Sequence, residues 1–322
     1  MLARPAPGAL GGFSCGRSVA QCADRPESHV VSVPWKKPET VQLTRLAPPH
    51  LRPFVRLMWA SSPEGTPDEQ PGAREHVLPT GGMHLVFRLS GPSLRLFRDD
   101  ADAQGFTVGY AMVGGTRSAF FVRDVSVTTR SVGVMLQPGA ARALFGATED
   151  ALAERHTPLE ALWGADANFA LEQLHGTDSL QRQLAIVVAL LEARLASSSM
   201  HRLHPTVAQA LARMSGASVN DDDGQAGAIG QLVKQSGYSH RRFIALFRGM
   251  TGLAPKQYAR MLRFDHVLGQ FAIQPDRPWV ELALEAGYSD QAHFNRDFQA
   301  IAGMSPQAYR RAAPVSSRHV RI

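Results

Sequence analysis

Residues 229–258 read IGQLVKQSGYSHRRFIALFRGMTGLAPKQY, and residues 279–309 read WVELALEAGYSDQAHFNRDFQAIAGMSPQAY. The two stretches are copies of one unit. Leu232 aligns with Leu282, and Gly237-Tyr238-Ser239 with Gly287-Tyr288-Ser289, at an offset of 50 residues. Phe243, Phe247, Gly252, Pro255 and Tyr258 then align with Phe294, Phe298, Gly303, Pro306 and Tyr309 at an offset of 51. The second copy has gained one residue after its Gly-Tyr-Ser triplet. Each copy predicts a helix, a tight turn and a second helix. Leu232 and Val233 supply the inward face of the first helix, and Gly237 and Gly287 supply the positive φ that ends it without a Cβ penalty. Ser239 and Ser289 are the expected N-caps of the helices that follow. Phe243 with Phe247, and Phe294 with Phe298, recur at a four-residue spacing and anchor those helices to a core.

The face opposite the anchors carries His240, Arg241, Arg242 and Arg248 in the first copy, and Gln291, His293, Asn295 and Arg296 in the second. Asn and Gln pair bidentately with adenine, Arg pairs with guanine, and the major groove of DNA admits an α-helix. One such polar face would be read as solvated surface. Two in tandem are read as the candidate DNA-binding residues, because charge concentrates in the same part of the chain. Residues 225–322 hold 13 Lys and Arg against 6 Asp and Glu, whereas residues 1–224 hold 21 against 22. A module with this balance suits a polyanion.

The paired Gly-Tyr-Ser turns, the Phe anchors and the two Gly-x-x-Pro-x-x-Tyr segments (252–258 and 303–309) resemble the AraC family of bacterial transcription regulators over residues 205–313. The resemblance implies an all-α domain of two helix-turn-helix units joined by a long helix, here about 256–271. It also implies that both recognition helices enter successive major-groove segments, about one helical turn apart. In the first recognition helix, positions where family members often carry polar base readers hold Ile244 and Ala245. These side chains can touch a thymine methyl but offer no hydrogen bond. The first copy is therefore expected to hold phosphates through Arg241, Arg242 and Arg248, leaving sequence reading weighted to Gln291, Asn295 and Arg296.

Upstream, residues 41–137 show short strand-like runs (84–87, 93–97, 120–122, 131–136) broken by Gly and Pro, which predicts a small antiparallel β domain. Residues 64–72, EGTPDEQPG, read as an exposed loop, and Pro79-Thr80-Gly81-Gly82 as a turn between strands. Helical patterns follow at 140–145, 158–163 and 179–195, and Pro205 fits the first turn of a helix reaching about 214. The segments EHVLPTGGMHLVF (75–87), LFRDD (96–100) and TPLEALWG (157–164) resemble an uncharacterised domain found ahead of this DNA-binding module in many bacterial regulators. That resemblance implies small-molecule sensing or dimerisation. The expected class is therefore α+β: a leader at 1–40, a small β-barrel-like sensor or dimerisation domain with helices at 41–200, the double helix-turn-helix domain at 205–313 and a tail at 314–322.

Other chemistry finds less support in the sequence. The pattern Gly12-Phe13-Ser14-Cys15-Gly16 matches a serine-hydrolase elbow, but it lies in a Gly-rich leader without the strand before and helix after that the elbow needs. Cys15 and Cys22 lack the neighbours that activate a methyl-accepting thiol, so the DNA-repair reading ranks below the regulator, as does a regulator acting mainly through protein contacts. His76 and His84 show no compact ligand spacing and read as packing or surface histidines rather than metal ligands. Trp35, Trp59 and Trp163 read as core. The expectation is a cytoplasmic, non-enzymatic regulator without cofactor or membrane span. Its partner is duplex DNA, with RNA polymerase, a small-molecule effector and a second copy of the chain as further candidates.

Overall fold

In the computed structural model, burial alternates along the short strand His84–Arg88, where Leu85 and Phe87 are buried and His84 and Val86 are half-buried. This period of two places one face on a core and leaves the other to a second layer. The structure describes residues 40–63, 70–198, 203–216, 230–312, 314 and 316–322. The expected leader with its cysteines, Trp35 and the Gly-x-Ser-x-Gly pattern fall outside those residues, as does most of the 64–72 loop.

The strands are β1 (Thr40–Arg45), β2 (Val55–Pro63), β3 (Arg74–Val77), β4 (His84–Arg88), β5 (Leu94–Phe97), β6 (Phe106–Gly109), β7 (Ala111–Gly114), β8 (Phe121–Asp124), β9 (Ser131–Leu136), β10 (His156–Pro158) and β11 (His319–Arg321). They pair antiparallel in two sheets, one ordered β1-β2-β9-β4-β7-β10 and the other β11-β3-β8-β5-β6. The α+β class with a β-rich N-terminal domain holds, but the strands form two sheets rather than one closed barrel. The chain changes sheets at Gly109, whose φ of 134° breaks the run between β6 and β7. Each sheet therefore keeps two free edges.

Helices α1 (Ala140–Phe145), α2 (Glu149–Leu152), α3 (Glu160–Trp163), α4 (Asp166–His175) and α5 (Leu180–Ala196) follow the strands. Leu184, Val187 and Leu191 of α5 share one core with Met58, Ala60, Leu85, Phe87, Val113, Val132 and Val134 from the six-stranded sheet. Ser179 caps α5 by accepting the Arg182 N–H. Trp163 belongs to this core and donates its indole N–H to the Leu144 carbonyl at 2.9 Å. On the sheet's other face Trp59 lies against Gly133, where any Cβ would collide with the indole. The turn 79–82 joins β3 to β4, with Gly81 at φ 69°.

The C-terminal domain comprises α6 (Pro205–Gly216), α7 (230–236), α8 (His240–Thr251), α9 (Pro255–Ile273), α10 (Trp279–Glu285), α11 (Gln291–Ala302) and α12 (Pro306–Ala312). Phe243 and Phe247 pack with Val207, Ala210, Met214, Leu232 and Val233 in one core. Phe294 and Phe298 pack with Phe264, Phe271, Trp279, Leu282 and Tyr309 in another. The second core also takes in Leu78, which follows β3, and Val320 of β11. Residues beyond α12 thus return to the first domain: β11 pairs with β3 in the register His319↔Val77, Val320↔His76, Arg321↔Glu75. Around that pairing Arg318 forms an ion pair with Asp265 and donates to the Pro79 carbonyl, and Glu75 is held by Arg123 and His319. The Arg123 guanidinium and His319 draw the buried Glu75 carboxyl down to about 2, against the opposing effect of burial.

Candidate nucleic-acid interface

Gly237 and Gly287 take φ of 70° and 81°, and each ends the first helix of its unit so that the chain can turn into the second. In the first unit the Ser239 hydroxyl accepts the Arg242 N–H at 3.3 Å and caps α8, as the sequence predicts. In the second unit the cap is Asp290, which accepts the His293 N–H at 2.7 Å. Ser289 is not the N-cap. The residue gained after the triplet moves the helix start one place along, so the residue aligned with Ser239 by the helix register is Asp290. The Ser289 hydroxyl instead lies 3.2 Å from Nδ1 of His293. Holding the His293 N–H keeps the Asp290 carboxyl below the usual carboxylate range.

Phe243, Phe247, Phe294 and Phe298 are all fully buried, which fixes the rotation of both second helices. Burying each such ring contributes roughly 1.5–3 kcal/mol. With these faces inward, His240, Arg241, Arg242 and Arg248 are exposed on α8, and Gln291, Asn295 and Arg296 are exposed on α11. Arg242 lies over the Tyr238 ring, 4.8 Å from its centroid, so its guanidinium is held beside the turn. Ala245 is exposed and Ile244 half-buried, so the middle of α8 presents a methyl where a polar reader would stand.

His293 is placed differently from the other sequence-predicted residues. Its side chain is only 20% exposed, meets Tyr288 edge-on at 5.3 Å and lies 3.9 Å from Asp297. It faces the scaffold beneath α11 rather than the outer arc of Gln291, Asn295 and Arg296. The same scaffold contains residues that the sequence reading did not single out. Arg260 on α9 stands 3.0 Å from the Asp297 carboxylate, and Arg263 lies over the Tyr288 ring at 5.3 Å. Burial raises the Tyr288 hydroxyl far above the usual phenol range, so this ring stays neutral. Nothing short of the folded register would reveal these contacts, because they join residues 37 and 25 positions apart in sequence.

His76 is buried, stacks on Phe120 at 4.2 Å between centroids and lies 2.6 Å from the Asp100 carboxylate. The EHVLP and LFRDD segments thus meet here. His84 meets Trp59 edge-on at 5.9 Å, and burial pushes its imidazole down to about 4. Among the described residues no group of three or more His, Cys, Asp or Glu could hold a metal ion.

A family model described as a helix-turn-helix domain matches residues 232–312, spanning both capped helices. The C-terminal domain is an AraC-type helix-turn-helix domain. A second model, a domain of unknown function (DUF6597), matches residues 44–158. A curated relative, "Probable transcriptional regulator LumQ" of Photobacterium leiognathi, is 29% identical over 82 residues. That match takes in 26% of this chain and 33% of LumQ, so the chain spans about a third of its relative's length. Among solved structures, ToxT from Vibrio cholerae O395 aligns over 85% of this chain and 98% of its own, at 8% identity and a TM-score of 0.41. Unsaturated fatty acid bound wild-type ToxT from Vibrio cholerae aligns over 75% and 96%, at 10% identity and a TM-score of 0.40. That similarity is too low to bear on ligands of this chain. Among the described residues no helix is long and apolar enough to cross a membrane.

Proposed function

We propose that this protein is a sequence-specific DNA-binding transcription regulator whose two helix-turn-helix units bind a promoter together. The observation that carries this reading is the pair of capped helices, α8 and α11, each anchored by two buried Phe and each turning Arg, Asn, Gln or His side chains outward. A major groove accepts such a helix, and a duplex offers successive groove segments to two of them. Arg241, Arg242 and Arg248 hold phosphates. Gln291, Asn295 and Arg296 read base edges. The AraC-type match and the name of LumQ support the regulatory role. The N-terminal domain receives the signal, a small molecule or a second copy of the chain, and passes it on by altering the pose of the DNA-binding domain.

Two measurements test this. Binding to duplex DNA should weaken steeply between about 50 and 200 mM salt, as release of counterions from several phosphates requires. Genome-wide mapping of bound sites should then return promoters sharing a motif of two half-sites. Salt-insensitive binding, or no enrichment over background, would sink the proposal.

A further inference from the structure

The C-terminal ends of the two recognition helices are finished by the N-terminal domain, at equivalent positions. The last carbonyls of a helix have no partner within it and must find one elsewhere. In α8 the Met250 carbonyl accepts the Gly139 N–H at 2.8 Å. In α11 the Ile301 carbonyl accepts the Phe120 N–H, also at 2.8 Å. Met250 and Ile301 are 51 residues apart, the offset at which the two copies align. The next carbonyl of α11, that of Ala302, lies 3.1 Å from Nδ1 of His76.

The glycines that follow repeat the pattern. Gly252 and Gly303 end α8 and α11 in the left-handed region, with φ of 80° and 76°. A Cβ on Gly252 would stand 2.8 Å from Cβ of Thr116, and one on Gly303 would stand 2.5 Å from the Phe120 ring. Each glycine therefore serves the turn and also admits a side chain of the other domain. Thr116 and Phe120 lie four residues apart in the segment joining β7 to β8, so one short turn touches both units. Thr116 is fully buried, and the Phe120 ring is held from behind by stacking on His76.

A linker helix alone leaves two units free to bend or rotate about its ends. Here α9 joins the units, and the turn 116–120 with Gly139 holds the C-terminal ends of both recognition helices. We infer that this turn is a clamp that fixes the separation and relative orientation of α8 and α11, with Thr116 and Phe120 as positioning residues for half-site spacing. The spacing part of the inference rests on the DNA-binding reading above, whereas the clamp itself does not.

The test uses the full-length chain in two arms. In the first, Cys15 and Cys22 are replaced by Ser and spin labels are placed at Ala245→Cys and Ala300→Cys, both exposed on the recognition helices. The distance distribution between them should be narrow in the parent and broad in Phe120→Ala, with Phe120→Leu restoring most of the narrowing. In the second arm, binding is measured on duplexes whose half-sites are set at graded separations. The parent should favour one separation by about tenfold over its neighbours, and Phe120→Ala should flatten that preference while its salt dependence stays the same. Should Phe120→Ala lose its folded circular dichroism, Thr116→Gly, which removes the Cβ that meets Gly252, carries both arms. An unchanged distance distribution in a folded variant overturns the clamp. A broadened distribution with an unchanged spacing profile overturns the positioning role. No duplex binding by the parent overturns the DNA-binding reading and leaves the first arm to decide the clamp.

Discussion

The Asp290 carboxylate accepts the backbone N–H of His293 at 2.7 Å and so supplies the first turn of α11 with a partner it otherwise lacks. Replacing an N-cap acceptor by Ala costs about 1 kcal/mol, whereas another capping residue restores most of it. Asp290→Ala should therefore lower stability by about that amount in denaturant titrations, and Asp290→Ser should recover it. Ser289→Ala should change stability by less than about 0.5 kcal/mol, as surface substitutions away from a cap do. A larger loss from Ser289→Ala than from Asp290→Ala would contradict this assignment.

Arg241 of α8 and Arg296 of α11, both exposed, should behave differently on DNA. Arg241→Ala should weaken binding to all duplexes alike and reduce the slope of log affinity against log salt by about 0.9, the value for one phosphate. Arg296→Ala should cost about 1–3 kcal/mol of discrimination between matched and mismatched sites. Competition titrations with scrambled duplexes separate the two effects. Equal losses on all sequences for both variants would remove the division of labour between the units.

Phe298 meets Phe264, Trp279 and Tyr309 at centroid distances of 5.3, 5.6 and 5.5 Å. Truncating such a buried ring costs about 3–5 kcal/mol. The core it occupies also contains Leu78 and Val320, so Phe298→Ala should speed hydrogen exchange at β3 and β11 as well as at α11. Exchange confined to α11 would show that the two domains open independently.

Glu149 supplies a pH dependence whose sign is fixed by its burial. Its carboxylate accepts the Ala141 N–H at 3.1 Å, yet burial dominates and pushes the carboxyl up from 4.5 to about 7. The folded protein holds this proton where the unfolded chain has released it. The stabilising contribution is complete below pH 4.5 and is lost as pH rises to about 7. Glu149→Gln keeps an acceptor and removes the ionisation. The variant should therefore gain on the native protein by on the order of 2–3 kcal/mol between pH 4.5 and 7.5. Burial pushes His84 and His156 down to about 4 and about 3, so their contribution is lost as pH falls below 6.5. That trend is common to both proteins and cancels in the difference. A constant difference across the range would rule out the buried proton.

The repeat made much of the DNA-binding domain legible. Spacing alone placed Gly237 and Gly287 at positive φ, the four Phe as helix anchors and Ser239 at a cap, because each depends on contacts within a few residues. The second cap was misplaced by one residue for a local reason, the insertion after Ser289. Strands β4, β8 and β9 and helices α1 and α5 were visible as patterned runs, while β10 and β11 were not. Each spans three residues, too few for a period of two to stand out. The contacts that set the candidate interface in place, Arg260 with Asp297 and Phe120 with Ile301, join segments distant in sequence. A pattern read along the chain carries no trace of them.

The strand β11 changes what can be learned from isolated pieces. His319 and Glu75 are 244 residues apart, yet they touch across a sheet edge. Long-range pairing of this kind must overcome loop-closure entropy before it is rewarded, which slows folding. A fragment ending before β11 would leave the β3 backbone as a bare edge, a template on which other chains can assemble. Trimming this protein to its β domain would therefore move the free edge of that sheet from β11 to β3, a strand that the full chain keeps paired on both sides.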